Sequence, residues 1–440
     1  MPDILNKRRE IHKSGNMFEG RVISVLSSIL FLVLALRNSN VFIEETFIGL
    51  TGAFVLLFIA NVSINPVVMI PVLGFCLASP SLIGEGSGHA SLLILLLTNG
   101  CLFLTLLYSA SLKGRRDYSG LREPAMVALP FLMAWLLQTS TSHQAVGQFL
   151  YTFNDVVFCL LLFSFRHFLM MFLQTVVAAV ASLNILYWLY FLFLDPSQNH
   201  YVSFSGTLYK RLGFSYVKWG SGIITGGGHT IFHGIPRFVG FTGEPGLWGT
   251  LTLLCLGIGV TYFKGKIRVI TVVGNLLGLL ASQSYSIILI ALSSLIVSYL
   301  FVHRKNRPLL LASLLVSPLI FLVAVKVLKL VVLVKLQNGE SNSLIQRGIA
   351  FNQNNFVSNA TIYQINYLSL IRSNPVLGFL FISSLLLGIW YAAKSNHIFI
   401  LGATLSFAGV GILAQPIQFH LGFLILFLAL IYPQEKVPDK

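Results

Sequence analysis

The chain has 440 residues, 55% of them hydrophobic and only 10% charged, with a mean hydropathy of +0.82. A soluble domain carries about 25% charged residues, so a water-soluble enzyme is excluded, and the apolar runs approach the length that crosses a roughly 30 Å hydrocarbon core. The net charge of +15 raises the question of nucleic acid, but the placement of the cations answers it differently.

A polar, basic start, MPDILNKRREIHKSGNMFEG, precedes the first apolar run and lacks the pattern of a cleavable signal peptide. Apolar runs then predict about fourteen spans. In the first part of the chain they lie near 22–38, 44–62, 66–80, 90–111, 124–140, 148–165 and 167–194. In the second part they lie near 243–263, 267–282, 284–302, 308–334, 374–393, 397–414 and 417–433. The third is short enough to be re-entrant, and the seventh and eleventh are long enough to tilt. Cys76, Cys101, Cys159 and Cys255 sit inside apolar runs without metal-ligand spacing and read as small buried hydrophobes. No internal repeat of the inverted-repeat transporter kind is apparent.

The expected fold class is an all-α polytopic membrane protein with about 12–14 transmembrane helices. Its parts are an N-terminal bundle (1–194), a first large loop (195–242), central helices (243–334), a second large loop (335–373) and C-terminal helices (374–440). With a cytoplasmic N-terminus, alternate loops collect most of the 29 Lys and Arg residues. These are Lys7, Arg8, Arg9, Lys13 and Arg21, then Lys113, Arg115, Arg116 and Arg122, then Arg166, KGKIR, RKNR, Lys394, Lys436 and Lys440. The other side receives Arg37, Lys210, Arg211, Lys218, Arg237, Arg347 and Arg372. That bias follows the positive-inside rule with both termini cytoplasmic, so the charge is an orientation signal and no nucleic-acid partner is implied.

Both long loops fall on the non-cytoplasmic side. Loops beyond about 12–15 residues are usually functional or disordered, and the aromatic content of these two predicts ordered segments, amphipathic helices on the membrane interface. They also hold the arginines that orientation does not explain. Arg211 and Arg237 share the first loop, and Arg347 and Arg372 share the second. A planar guanidinium pairs bidentately with phosphate oxygens, while Tyr216 and Trp219 offer aromatic faces suited to sugar rings. Gly226–Gly228 is not a P-loop, because no GK[ST] follows it. At GEPG, Glu244 stands near a helix N-cap with Pro245 in the first turn. A plain helix-dipole role for Glu244 and a lipid-anchor role for Arg237 compete with any catalytic one. Asp155, inside a span, and Lys326 and Lys329, on one helical face, are ionisable groups with both structural and functional readings.

The order of these segments resembles a known family. RFVGFTGEPGLWGTLTLL (237–254) is similar to the Arg-x-x-Gly…Glu-Pro helix start of Wzy-type O-antigen polymerases, and LASQSYSIILIALSSLI (280–296) to the Ser-rich helix start that follows it there. NGESNSLIQRGIAF (338–351) resembles the segment ending in a second periplasmic arginine, and NPVLGFL (374–380) the Asn-Pro-x-x-Gly return into the membrane. The first six or seven spans carry only generic hydrophobicity. The resemblance implies a GT-C-like architecture in the bacterial inner membrane and a periplasm-facing, metal-independent glycosyltransferase of lipopolysaccharide biosynthesis. Such an enzyme joins undecaprenyl-diphosphate-linked oligosaccharide repeat units by block transfer. It implies no cofactor, and partners limited to the lipid-linked substrate, membrane lipids and a chain-length regulator. Arg237 and Arg347 match the two arginine positions and Glu244 the acidic residue after the first; Arg211 opens an Arg-x10-Gly spacing to Gly222. Arg372 has no matched motif beyond its closeness to Asn374.

The rivals are an O-antigen ligase and a lipid-linked oligosaccharide flippase or transporter. Segment 335–373 holds no histidine, a departure from the ligase pattern that leaves the general base open between Glu244 and a histidine such as His229, His233 or His420. Cleaving a sugar–diphosphate bond puts negative charge on the leaving phosphate, which fixed cations stabilise in the transition state. Arg237 and Arg347 are the expected grip, with Arg211 or Arg372 assisting, and in-line attack would invert the anomeric centre.

Overall fold

The structure is a computed structural model. It describes residues 2–37, 41–64, 121–140, 166–193, 199–202, 216–219, 223–226, 235–242, 245–303, 374–413 and 421–432, together with 68–69, 72 and 162–163. Helices dominate the described residues: α1 (Pro2–Arg37), α2 (Val41–Ile59), α3 (Arg122–Ser140), α4 (Arg166–Phe193), α5 (Pro245–Tyr262), α6 (Gly265–Ser282), α7 (Tyr285–Val302), α8 (Pro375–Lys394), α9 (Ile398–Leu413) and α10 (Leu421–Ile431). Each coincides with a predicted span to within a few residues, except that α1 begins well before its apolar run. Five stretches among the described residues are long and apolar enough to cross a membrane: Phe18–Arg37, Phe168–Phe193, Pro245–Tyr262, Gly265–Ser282 and Pro375–Lys394. Shorter apolar helices run over Ser286–Val302, Ile398–Ile412 and Gly422–Ile431. The predicted spans near 90–111 and 308–334, most of those near 66–80 and 148–165, and the second large loop lie outside the described residues.

Local chemistry sets several of these helix ends. α8 starts where Asn374 accepts a bond from the Leu377 N–H at 3.3 Å, with Pro375 in the first turn. α5 starts on Pro245, whose missing N–H costs nothing at a position that has no intrahelical acceptor. The outer surface is apolar: Leu26, Leu36, Phe379, Leu386 and Trp390 are exposed. Such a surface belongs in lipid, and the architecture is that of a helical membrane protein.

Small residues let the helices meet. A Cβ on Gly49 would lie 2.8 Å from Leu183, and one on Gly274 would lie 2.8 Å from Ala181, so α2 and α6 both pack closely on α4. Side-chain bonds to backbone carbonyls reinforce these contacts. Ser182 Oγ donates to Gly49 O at 2.8 Å, and Ser384 Oγ, on α8, donates to Val127 O of α3 at 2.7 Å.

These contacts also fix which helix ends lie together. Gly274 and Gly278 of α6 meet Ala181 and Asn184 of α4 in parallel order, whereas α3 and α8 run antiparallel through Val127–Ser384 and Phe131–Phe381. Arg21 of α1 donates to Asn61 just after α2. Consequently Arg21, Arg122, Lys264, Lys266, Arg268 and Lys394 gather at one end of the bundle. These six are all among the cations the sequence assigns to one side of the membrane.

The opposite end carries a small sheet, and this corrects the expectation for the first large loop. Its described residues form four antiparallel strands where amphipathic helices were expected, in the order β1-β2-β3-β4: Asn199–Val202, Tyr216–Trp219, Ile223–Gly226 and Arg237–Phe238. The fold class expected from the sequence, a helical membrane protein, holds for the described residues, with this small sheet as an addition to it. The strand segments NHYV, YVKW and IITG are rich in β-branched and aromatic residues, which suit a pleated surface better than a helix. Beyond β4 a single 3-10 turn, Gly240–Thr242, leads into α5.

That turn is closely packed. Gly240 has φ +51°, and a Cβ there would lie 2.1 Å from Cε3 of the fully buried Trp248. Gly265 shares the left-handed conformation at φ +62° but has nothing within 4 Å of its would-be Cβ. Gly240→Ala should therefore cost roughly 3 kcal/mol through combined strain and overpacking, and Gly265→Ala only about 1 kcal/mol. Denaturation of the two purified variants in detergent checks the ordering, and equal losses would contradict it.

Candidate functional site at the sheet end of the bundle

The segment IPRFVGFT, residues 235–242, joins the sheet to α5. Its first two residues, Ile235 and Pro236, precede β4 and belong to no helix or strand, so their carbonyls need partners from elsewhere. Three side chains meet that need or extend it. Tyr187, near the end of α4, donates to Pro236 O at 2.5 Å. Gln283, in the connector between α6 and α7, donates through Nε2 to Ile235 O at 2.9 Å and to Pro236 O at 3.2 Å. In the reverse direction, Arg237 Nε donates to Ser282 O, the last carbonyl of α6, at 3.3 Å. A cation on a helix C-terminal carbonyl is favoured by the dipole.

The connector that makes these bonds is held in an uncommon conformation. Gln283 has φ 46° and ψ 37°, the left-handed region in which any Cβ crowds the backbone carbonyl, and it is only 2% exposed. Its N–H closes the helix on Leu280 O at 3.2 Å. Strain of this kind persists where surrounding bonds over-determine it, and here those bonds are the ones that clamp residues 235–237.

Aromatic packing fixes the other side of the segment. Phe238 stacks on Tyr187 with ring centroids 4.7 Å apart, and Phe238 and Phe241 each meet Trp248 edge-on at 5.1 and 5.2 Å. Trp248 Nε1 donates to the buried Asn184 Oδ1 at 2.8 Å. A Cβ on Gly278 would lie 2.1 Å from Asn184 Nδ2, so only glycine lets α6 approach there. α4, α5 and α6 thus converge beneath Arg237, which is itself part-exposed while Phe238 is buried.

The sheet register adds one predicted residue to this place. Arg237 pairs with Gly226, Gly226 with Tyr216, and Tyr216 with Val202, so Arg237 and Tyr216 share one cross-strand row separated by a glycine. Two strand spacings put their backbones about 10 Å apart. Trp219 occupies a β2 position of opposite parity to Tyr216. Arg211, Glu244, Arg347 and Arg372 lie outside the described residues, as do His229, His233, His420, Asp155, Lys326 and Lys329. Of the sequence-derived site, the structure therefore brings Arg237 and Tyr216 into one row and puts Trp219 in the same sheet.

Two groups at this end escaped the sequence reading. Glu44 and Glu45 open α2, are 5% and 0% exposed, and belong to a helix that packs on the 3-10 turn and β3. The signal was present: two adjacent carboxylates at the mouth of an apolar run. Gln283 was the second, a polar residue between two apolar runs in LASQSYS. Chemically, the end combines a fixed guanidinium, the N-termini of α5 and α7 with their positive dipole ends, and buried carboxylates. A guanidinium and helix N-termini of this kind favour an anion.

Loss of the clamp is measurable. Gln283→Ala removes both bonds to residues 235–236 and should cost about 2 kcal/mol. Gln283→Gly loses the same bonds but relieves about 1 kcal/mol of left-handed strain, so it should be the more stable of the two. Thermal denaturation in detergent checks this, and Gln283→Gly falling below Gln283→Ala would contradict the clamp.

Comparison with protein-family models, with curated proteins and with solved structures finds no match to this chain.

Proposed function

We propose that this protein is a polysaccharide polymerase of the O-antigen type. In this reading it is a glycosyltransferase of GT-C-like architecture in the bacterial inner membrane that joins undecaprenyl-diphosphate-linked oligosaccharide units on the periplasmic face. The observation that carries the reading is Arg237. It is a cation held on a strand edge by a bond to Ser282 O, at the end of the bundle away from the cluster of Arg21, Arg122, Lys264, Lys266, Arg268 and Lys394. Under the positive-inside rule that cluster faces the cytoplasm, and the sheet end faces the periplasm.

Bond breaking leaves charge on the departing diphosphate, and a pre-oriented guanidinium stabilises that charge without reorganising. One N–H of Arg237 is committed to Ser282 O, which fixes the plane of the fork relative to the bundle. Arg347 is the second grip in this reading, with Arg211 or Arg372 in support, and Tyr216 and Trp219 contact the glycan. The acceptor hydroxyl must lose its proton. Glu244 or a first-loop histidine is the base the sequence offers, and Glu44 and Glu45 add carboxylates at the same end. No cofactor or metal is required by this chemistry, and a chain-length regulator is the expected protein partner.

Glycan profiling of a strain lacking the chain tests the reading. A polymerase deficit leaves surface lipid capped with single repeats. Absent caps with accumulated lipid-linked polymer would make the protein a ligase, and single units retained in the cytoplasm would make it a flippase. Complementation with Arg237→Lys should reach normal membrane levels yet lower polymerisation by about 10²–10³-fold, the loss typical of one transition-state donor. Full polymer lengths with Arg237→Lys would show that charge alone suffices and that no bidentate grip operates.

A further inference from the structure

The basic end of the bundle carries a cavity that the polymerase reading does not use. It has a volume of about 470 Å³ and lies between α5, α6, α7 and α9. Its floor is formed by small residues, Gly257, Gly402 and Ala403, and its rim by Val269, Val273 and Phe399. Those three rim residues are 63%, 50% and 43% exposed, so the cavity opens sideways from the helix bundle and not along its axis. In a membrane that side is lipid.

Water does not suit this space. The polar side chains lining it are Arg268 and Ser406. The Ser406 hydroxyl already donates to Gly402 O at 2.6 Å. A buried water needs two to four polar partners, which the apolar walls do not supply. An alkyl chain needs none.

The charge at the mouth selects the headgroup. Arg268 stands one turn into α6, exposed, with Lys264 and Lys266 just before it. The connectors 263–268 and 394–397, FKGKIR and KSNH, contain no acidic residue. His397 begins the approach to α9, its ring 6.1 Å from that of Phe399, and its Nδ1 is buried without a hydrogen-bond partner among the described residues. Burial, and then the charge of Arg268, hold His397 below the ordinary histidine value, so Arg268 is the cation at the mouth near neutral pH. Basic pockets between helices near a membrane surface recognise anionic lipid headgroups through such residues.

We infer that this groove binds one anionic glycerophospholipid of the adjoining leaflet, with an acyl chain lying between α6 and α9 and its phosphate on Arg268. The site is independent of the polymerase reading and of which leaflet faces the cytoplasm.

Native mass spectrometry of the full chain in detergent tests it, with phosphatidylglycerol and phosphatidylethanolamine of identical acyl chains as probes. Wild-type protein should retain phosphatidylglycerol several-fold more tightly. Arg268→Gln should erase that preference while leaving residual binding of both lipids, and Val272→Phe, which fills the groove, should weaken both. Should Val272→Phe fail to fold, Arg268→Gln, at an exposed position, carries the test alone. Equal retention of the two lipids by wild type, or an unchanged preference in Arg268→Gln, would overturn the proposal. So would a dimer of the chain that Val272→Phe dissociates, since a second copy would then fill the groove.

Discussion

The carbonyls of Ile235 and Pro236 lie just before β4, the strand that leads through the 3-10 turn into α5, and they belong to no strand or helix that would satisfy them. Tyr187 and Gln283 supply the missing donors. Ile235 and Pro236 are part-buried, and a part-buried carbonyl left without a donor costs about 1–3 kcal/mol, so this tie favours the path the segment takes. The rest of the sheet end follows from it. Clamping residues 235–236 fixes Arg237 one residue later, drops Phe238 onto Tyr187, and delivers Gly240 onto Trp248 at the start of α5.

The same tie links four helices through one short peptide. Tyr187 belongs to α4, Trp248 to α5, Ser282 to α6, and Gln283 leads into α7. Asn184 and Gly278 complete the seam one turn deeper. A guanidinium attached to such a junction is stiffer than one on a free loop, because moving it requires breaking bonds to separate helices. Electrostatic catalysis depends on that stiffness: donors aimed in advance do not reorganise as charge develops.

The long apolar runs made the helices legible, since composition over twenty residues leaves few alternatives. Charge placement was legible for the same reason, and six of the cations assigned to one side lie together among the described residues. The sheet was not read. YVKW and IITG are four-residue segments whose strand propensity is context-dependent, and interface helices share their aromatic content. Arg237 was singled out because orientation does not explain an arginine on that side. Its bond to Ser282 O was beyond sequence reasoning, as the partner is a backbone atom 45 residues away. Gln283 and Glu45 were missed because a single polar residue at a span boundary is ordinary in sequence and becomes informative only once it is found buried.

The central claim is that the clamp on residues 235–236 exists to hold Arg237 for an anion. Binding of undecaprenyl diphosphate to the purified protein, measured for wild type, Tyr187→Phe, Arg237→Lys and the double variant, tests it most directly. If the clamp acts through Arg237, Tyr187→Phe weakens binding in the wild-type background and has no further effect once Arg237 is Lys, giving a coupling near the whole single-variant loss. Losses that simply add would show that the clamp and the guanidinium act separately, and the account would fail.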